Sequence, residues 1–243
     1  MINKSKKIKL DFYNQGLTEP FFACGLEKSI CEFNRPFLMA ITLEDVILAG
    51  RDLTYSNHYI ENNRFNIPFV RFMGTGGPVH FSPNMLKITG YIPKGISNLA
   101  STCDMIVDIF ARLDITAEHT PDTNDIKING KKVVGVTHAT PLGDYNFIGF
   151  FFALDNDYEK AREAMILTKH TSELSERSAG IHETHPNITK EQIIDAVILE
   201  FEARNFTFKN TSVGEKLSAR ALENEQDIFR NETFIKHGYV DKP

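Results

Sequence analysis

The stretch "NDIKINGKKVVG", Asn124 to Gly135, decides the fold class. At its centre Asn129-Gly130 is the strongest two-residue signal for a β-hairpin, because the favoured tight turn needs positive φ at both central residues. Asp125 to Ile128 and Lys132 to His138 read as the hairpin's strands, and Phe147 to Leu154 as a third strand-like run. A sheet begun by a hairpin, in a chain that also carries helical periods, points to α+β rather than a doubly wound parallel sheet.

Upstream of the hairpin, Leu99 to Leu113 places Ile106, Val107, Ile109, Phe110 and Leu113 on an apolar helical face. Pro20 to Phe33 reads as an earlier helix, with Phe22, Leu26 and Ile30 on one side. Between these helices the pattern predicts a strand pair, Phe37 to Ile41 and Asp45 to Gly50, turning at Thr42-Leu43-Glu44. A short helix over Ser56 to Asn63 follows, then strands Ile67 to Phe72 and Met85 to Ile92 around a glycine-rich loop. Downstream, Tyr158 to Leu167 is predicted helical. Thr189 opens another helix with a capping box to Gln192, and Ile193, Ile194, Val197, Ile198 and Phe201 keep its period. Val213 to Lys236 reads as one or two helices. The expectation is a single domain over residues 1–243, of mixed or antiparallel sheets flanked by helices, with a helical C-terminal segment about 189–240.

Composition excludes several functions. The net charge of -5 argues against a nucleic-acid partner, which demands a basic face. The basic run Lys4 to Lys9 is short and reads as a solvated tail. No run reaches the roughly 18 apolar residues of a membrane span, and no apolar segment follows the basic start as in a secretory signal. The three cysteines, Cys24, Cys31 and Cys103, form no paired framework, so the expected compartment is the reducing cytoplasm.

Two stretches could carry chemistry. In "RFMGTGGPVH", Arg71 to His80, the bare backbone of Gly74, Gly76 and Gly77 could form a nest of N–H groups for phosphate or carboxylate oxygens, or simply a tight hairpin. It matches neither the Walker-A phosphate loop, since no Lys-Ser or Lys-Thr follows the last glycine, nor the dinucleotide fingerprint. In the Asn129-Gly130 hairpin only one of Lys131 and Lys132 can face inward, since successive strand side chains alternate. A buried lysine needs an anionic partner, and Asp125 could hold a magnesium ion. An exposed hairpin with solvated lysines explains the same residues. His182 and His185 in "HETH" lack zinc-protease spacing and read as loop residues. His119 and His138 have no visible partner, Ser82 and Ser178 have no nucleophile-elbow context, and Cys103 reads as a buried small residue.

Together the two stretches resemble the lipoate–protein ligase A family, within the wider class of biotin and lipoate protein ligases. The family's Arg-Arg-x-x-Gly-Gly-Gly-x-Val-x-His-Asp loop stands here as Arg71-Phe72-Met73-Gly74-Thr75-Gly76-Gly77-Pro78-Val79-His80. Its Asn-Asp-(Ile/Leu) and Lys-(Ile/Val)-x-Gly stand as Asn124-Asp125-Ile126 and Lys132-Val133-Val134-Gly135. "FFACGLEKSI" (Phe21 to Ile30), "VILAGRDL" (Val46 to Leu53) and "SERSAGIHETHPNIT" (Ser175 to Thr189) are weaker similarities in the right order.

The resemblance implies ATP-dependent activation of lipoate or octanoate to an acyl-adenylate, then transfer to a lysine of a lipoyl carrier domain. That carrier would be a 2-oxoacid dehydrogenase E2 or the glycine-cleavage H protein. Lys132 would be catalytic, lying between carboxylate and α-phosphate. Backbone N–H groups of Gly76, Gly77 and Val79 would hold the acyl-adenylate, within a binding set of Arg71, Gly74, Thr75, Gly76, Gly77, Pro78, Val79, His80, Asn124, Asp125, Lys132 and Gly135. Arg71 would sit at the mouth of an apolar lipoyl slot, and Asn124 with Asp125 would place Mg2+. The length resembles the short form without a C-terminal accessory domain, which implies a separate accessory subunit and weak activation by this chain alone. Departures are Phe72, Thr75, Phe81, and Ile148-Gly149 where His-Gly is usual. No cysteine lies in 118–122, where one branch of acyl-shuttling relatives keeps its nucleophile. Biotin ligase shares the Asn-Asp-Ile and Lys-x-x-Gly pattern but not an arginine-rich glycine loop. A non-catalytic member that binds lipoyl groups or carriers is the other alternative.

Overall fold

Phe37 to Ile41 is apolar at every position because the strand it forms is covered on both faces. Leu38 and Ala40 enter one core, and Phe37, Met39 and Ile41 enter another, as strand alternation requires. The computed structural model describes residues 7–53, 55–121, 123–139, 144–166 and 174–238. The Lys4 to Lys6 part of the basic run, the Leu167 end of a predicted helix, and residues 239–240 lie outside them.

In chain order the strands are β1 (Ile8–Thr18), β2 (Phe37–Leu43), β3 (Val46–Gly50), β4 (Phe69–Phe72), β5 (Val79–Phe81), β6 (Met85–Pro93), β7 (Glu118–His119), β8 (Asp125–Ile128), β9 (Lys131–Ala139), β10 (Tyr145–Ala153) and β11 (Phe206–Asn210). The helices are α1 (Pro20–Glu32), α2 (Leu99–Ala111), α3 (Tyr158–Ala164), α4 (Leu174–Arg177), α5 (Lys190–Ala203), α6 (Glu215–Asn224) and α7 (Glu232–His237).

A mixed eight-stranded sheet runs β11-β1-β2-β6-β10-β9-β8-β7, and a small sheet runs β4-β3-β5. One face of the large sheet packs on α2 and α5, through Ile106, Phe110, Ile193 and Phe201 against Leu38, Ile88 and Phe150. The other face packs on α1 and the small sheet, through Leu26, Val70, Phe72 and Phe81 against Met39, Ile41 and Phe151. Each such buried side chain stabilises by roughly 1.5–3 kcal/mol, so these two cores hold the layers together. The α+β architecture is as expected from the hairpin.

Local signals are realised. Asn129 and Gly130 take φ of 52° and 78°. Thr189 and Gln192 close both halves of the capping box on α5. Three expectations are corrected. The two runs expected to pair across Thr42-Leu43-Glu44 do not: β2 joins the large sheet and β3 the small one, because both are buried on both sides and the chain crosses between layers. Ser56 to Asn63 is not a helix: Tyr55–Asn57 makes one 3-10 turn, and Tyr59 bridges to Met165. The basic tail gives way at Ile8 to β1, which pairs in parallel with β2 and β11. No helix of the described residues is long and apolar enough to cross a membrane.

Candidate active site

The alternation of β9 is interrupted where the chemistry lies. Ile126 pairs with Val134 but Lys127 pairs with Lys132, so Val133 is an extra residue, a β-bulge. Without it Lys132 and Gly135, three residues apart, would face opposite ways. With it they share a face: a Cβ at Gly135 would lie 3.5 Å from Lys132 Cε and 3.7 Å from its Nζ. The bulge and the missing side chain together lay the lysine along its own strand. The Lys132 ammonium is paired with the Asp125 carboxylate of β8. Lys131 turns the other way and donates to the Ser175 carbonyl at 3.0 Å. One lysine faces the site and one does not, as strand alternation required.

The glycine loop meets this hairpin. Thr137 Oγ1, two residues past Gly135, donates to the Thr75 carbonyl at 2.7 Å, and Gly50 N–H donates to the Gly76 carbonyl at 3.2 Å. Gly76 holds φ of 133°, a conformation side chains disfavour, and Cβ atoms built at Gly76 and Gly77 would meet nothing within 4 Å. That open space is a cavity of about 300 Å³. Thr75, Gly76, Gly77, Pro78, Val79 and His80 line it, together with Asn124, Lys132 and Gly135. Its apolar wall is Phe72, Met85, Val136, Phe151, Ala153, Ala161 and Met165. The bare backbone of the loop therefore fronts a cavity.

Three predicted site residues lie elsewhere. Arg71 is fully buried and does not line the cavity. Its Nε donates to the Ile235 carbonyl at 2.8 Å, Nη1 to that of Gly50 at 3.1 Å and Nη2 to that of Lys236 at 3.2 Å. It fastens the end of α7 to the small sheet, and its placement at the mouth of a slot is corrected. Gly74 lies behind the loop, accepting from Arg51 N–H at 3.2 Å. Asp125 reaches the site only through Lys132. Asn124 lines the cavity but donates its amide to the Val136 carbonyl at 2.6 Å, which ties the start of β8 to β9. No group of three or more His, Cys, Asp or Glu side chains able to hold a metal ion occurs among the described residues.

Two residues that stand behind His80, Asp45 and Lys160, carried no signal in sequence. His80 Nε2 lies 3.1 Å from Asp45 Oδ1, and Lys160 of α3 donates to Asp45 Oδ2 at 2.7 Å. Burial lowers the His80 pKa, outweighing the upward pull of Asp45. The hydrogen bond to Asp45 raises the pKa of Lys160. Asp45 stands in a tight link and Lys160 on a short helix, far apart in sequence, so no spacing joins them to His80.

The face holding Gly135 and Phe151 continues past Thr137 and Gly149 to Ala139 and Phe147. There a second cavity of about 220 Å³ is lined by Cys31, Met73, Tyr91, Ala139 and Phe147, with Lys28, Glu32 and Arg51 at its polar side. None of the three cysteines lines the first cavity. Burial pushes the thiols of Cys24 and Cys31 up to about 12 and that of Cys103 to about 11. His182 is held by Asp155 at 3.0 Å and the Ile188 carbonyl at 2.8 Å, a loop fastening rather than a metal ligand.

A family model described as the lipoyl protein ligase A/B catalytic domain matches residues 19–202. No curated protein sequence matches significantly. Among solved structures, a bi-partite lipoate protein ligase with its E2 lipoyl domain from Thermoplasma acidophilum superimposes with a TM-score of 0.81 at 14% identity, covering 96% of this chain and 99% of that one. A lipoate-protein ligase A bound with ATP gives 0.80 at 14%, covering 96% and 100%. P. falciparum LipL1 in complex with lipoate gives 0.77 at 16%, covering 96% and 75%. At these identities the superpositions establish a shared fold.

Proposed function

From the premise that the chain belongs to the lipoyl protein ligase A/B catalytic domain family, we propose that it activates lipoate, or octanoate, with ATP and passes the acyl group to a lysine of a lipoyl carrier domain. The observation that carries this reading is the placing of the Lys132 ammonium in one cavity with the open backbone of Gly76 and Gly77. A lysine there offsets the negative charge that builds as a carboxylate attacks the α-phosphate. N–H groups of the loop suit the oxygens of the mixed anhydride. The apolar wall, continuing along the sheet face toward Met73, Ala139 and Phe147, suits an alkyl chain ending in a dithiolane.

The alternative chemistry of the fold, an acyl-enzyme on cysteine, has no support here, since no cysteine lines the cavity and all three thiols are raised by burial. Magnesium would arrive on the nucleotide. Asp125 is one carboxylate beside Lys132, enough for an ion held mainly by substrate phosphates and too few for a resident site. The structural likeness to a bi-partite ligase described together with its E2 lipoyl domain supports lipoyl carriers, of E2 or H-protein type, as acceptors. It also makes a separate accessory subunit a partner to test. We place the reaction in the cytoplasm, on the strength of free cysteines.

One observation favours a second reading. With Arg71 engaged by α7, Lys132 is the only Lys or Arg lining the cavity among the described residues, which is little charge for a triphosphate. A chain that binds lipoyl groups without ATP turnover would need no more. Pyrophosphate release, measured with lipoate, octanoate and biotin in parallel, separates the readings. Release with lipoate or octanoate supports the ligase. Lipoate binding without release supports the binding module, and release with biotin alone overturns both.

A further inference from the structure

His80 is the second residue of β5, directly after the loop that fronts the cavity, and its ring is held from the side away from that loop's glycines by a carboxylate. His80 is 7% exposed and still lines the cavity beside Val79. Its ring is fixed by a relay across three elements. Asp45 precedes β3 and holds Nε2 at 3.1 Å. Lys160 of α3 holds the other oxygen of Asp45 at 2.7 Å and lies 3.9 Å from Asp157. With Nε2–H donating to Asp45, the lone pair is on Nδ1, which no described residue engages. A carboxylate that fixes the tautomer of an imidazole in a substrate cavity is the arrangement of a general base.

Electrostatics argues the same way. Burial disfavours the imidazolium, the form that attracts phosphate most strongly. The groups facing His80 are Asp45, Asp157 and Lys160, and the first two do not overcome that burial. Lys132 and Tyr158 line the same cavity. A ring kept neutral can accept a proton.

Resting on the acyl-transfer reading above, we propose that His80, positioned by Asp45 and Lys160, is the base that takes the proton from the carrier's lysine amine as it attacks the acyl-adenylate. The amine arrives neutral, having lost one proton to solvent. Its nitrogen forms the amide bond to the acyl carbon, the bond from that carbon to the phosphate oxygen breaks, and AMP departs with the electron pair. The second amine proton passes to Nδ1.

The test supplies chemically made lipoyl-adenylate and a lipoyl carrier domain to the full chain, in single turnover across pH 5 to 8. Pyrophosphate exchange is followed separately. In wild type the transfer rate rises through an inflection below the ordinary histidine value of about 6.5. In His80→Gln that inflection is lost, and transfer falls at least about 100-fold more than exchange does. In Asp45→Asn, which removes the upward pull, the inflection moves lower and transfer slows. Equal slowing of both half-reactions in His80→Gln, or a wild-type inflection retained there, overturns the proposal. Should His80→Gln not fold, an unmoved inflection in Asp45→Asn overturns it instead. If wild type cannot transfer from the adenylate at all, the acyl-transfer reading itself fails and takes this proposal with it. A negative result confined to the variants leaves that reading standing.

Discussion

Lys132 and Asp125 are paired across the β8–β9 hairpin, and the Val133 bulge is what turns the ammonium toward the cavity. Both side chains are partly exposed, so the pair contributes little to stability, on the order of 1 kcal/mol or less. Its worth is positional. Lys132→Gln should therefore leave the melting temperature nearly unchanged while adenylate formation, read as pyrophosphate exchange, falls by about 100-fold or more. Gly135→Val should act through the same lysine, because a branched side chain fills the space where Lys132 Cε lies, whereas Gly135→Ala meets only ordinary contact. Full exchange activity in Lys132→Gln would remove the lysine from the mechanism.

Gly76 and Gly77 make a contrast within one loop. Both front open space, but Gly76 alone is at φ of 133°. Gly76→Ala should cost about 1–3 kcal/mol in denaturant unfolding through backbone strain. Gly77→Ala should unfold at the wild-type midpoint, yet weaken nucleotide or lipoate binding in calorimetry by placing a methyl group in the cavity. Equal stability losses in the two variants would show that the loop is a structural turn whose open face has no ligand.

How much of this was legible in sequence depended on the range of the interaction. Asn129-Gly130 and Thr189…Gln192 act within four residues and read directly as turn and cap. Strand alternation says that one of Lys131 and Lys132 faces inward, the family resemblance says which, and neither shows the bulge at Val133. The pairing of Ile8 with Phe206 was not, since nothing in either short run names its partner across the length of the chain. Phe37 to Ile41 reads as a strand, but nothing in it says which sheet it joins. Arg71 beside a glycine loop carries the same local pattern whether it binds an anion or three carbonyls, and those of Ile235 and Lys236 are invisible until the fold brings α7 back. The relay from Lys160 through Asp45 to His80 was hidden for the same reason.

Arg71 is consequently a stability residue. Removing its guanidinium orphans the buried carbonyl of Gly50 and the partly buried carbonyls of Ile235 and Lys236, and opens a void where a fully buried side chain stood; a buried unpaired group costs about 1–3 kcal/mol. Arg71→Met should lose several kcal/mol in urea unfolding, about 3 or more, and release α7 to limited proteolysis near the C-terminus. The surviving folded fraction should bind lipoate as wild type does. A normal unfolding midpoint with weakened lipoate binding would return Arg71 to the slot.

Lys87 of β6 and Glu27 of α1 form an ion pair at 2.5 Å with both side chains fully buried. Glu27 also accepts from Thr89 at 3.0 Å, and the Lys87 ammonium lies 5.6 Å from the Phe72 ring that walls the cavity. A buried pair is weak evidence for net stability, but breaking it leaves one charge uncompensated, at about 3–5 kcal/mol. Lys87→Met and Glu27→Leu should each be destabilising on that scale. The double variant, apolar on both sides, should recover most of the loss, so the cycle shows strong coupling rather than addition. Urea unfolding of all four proteins measures it. If the single losses simply add, the two charges do not depend on each other, and the contact between α1 and β6 is held by the surrounding apolar packing alone.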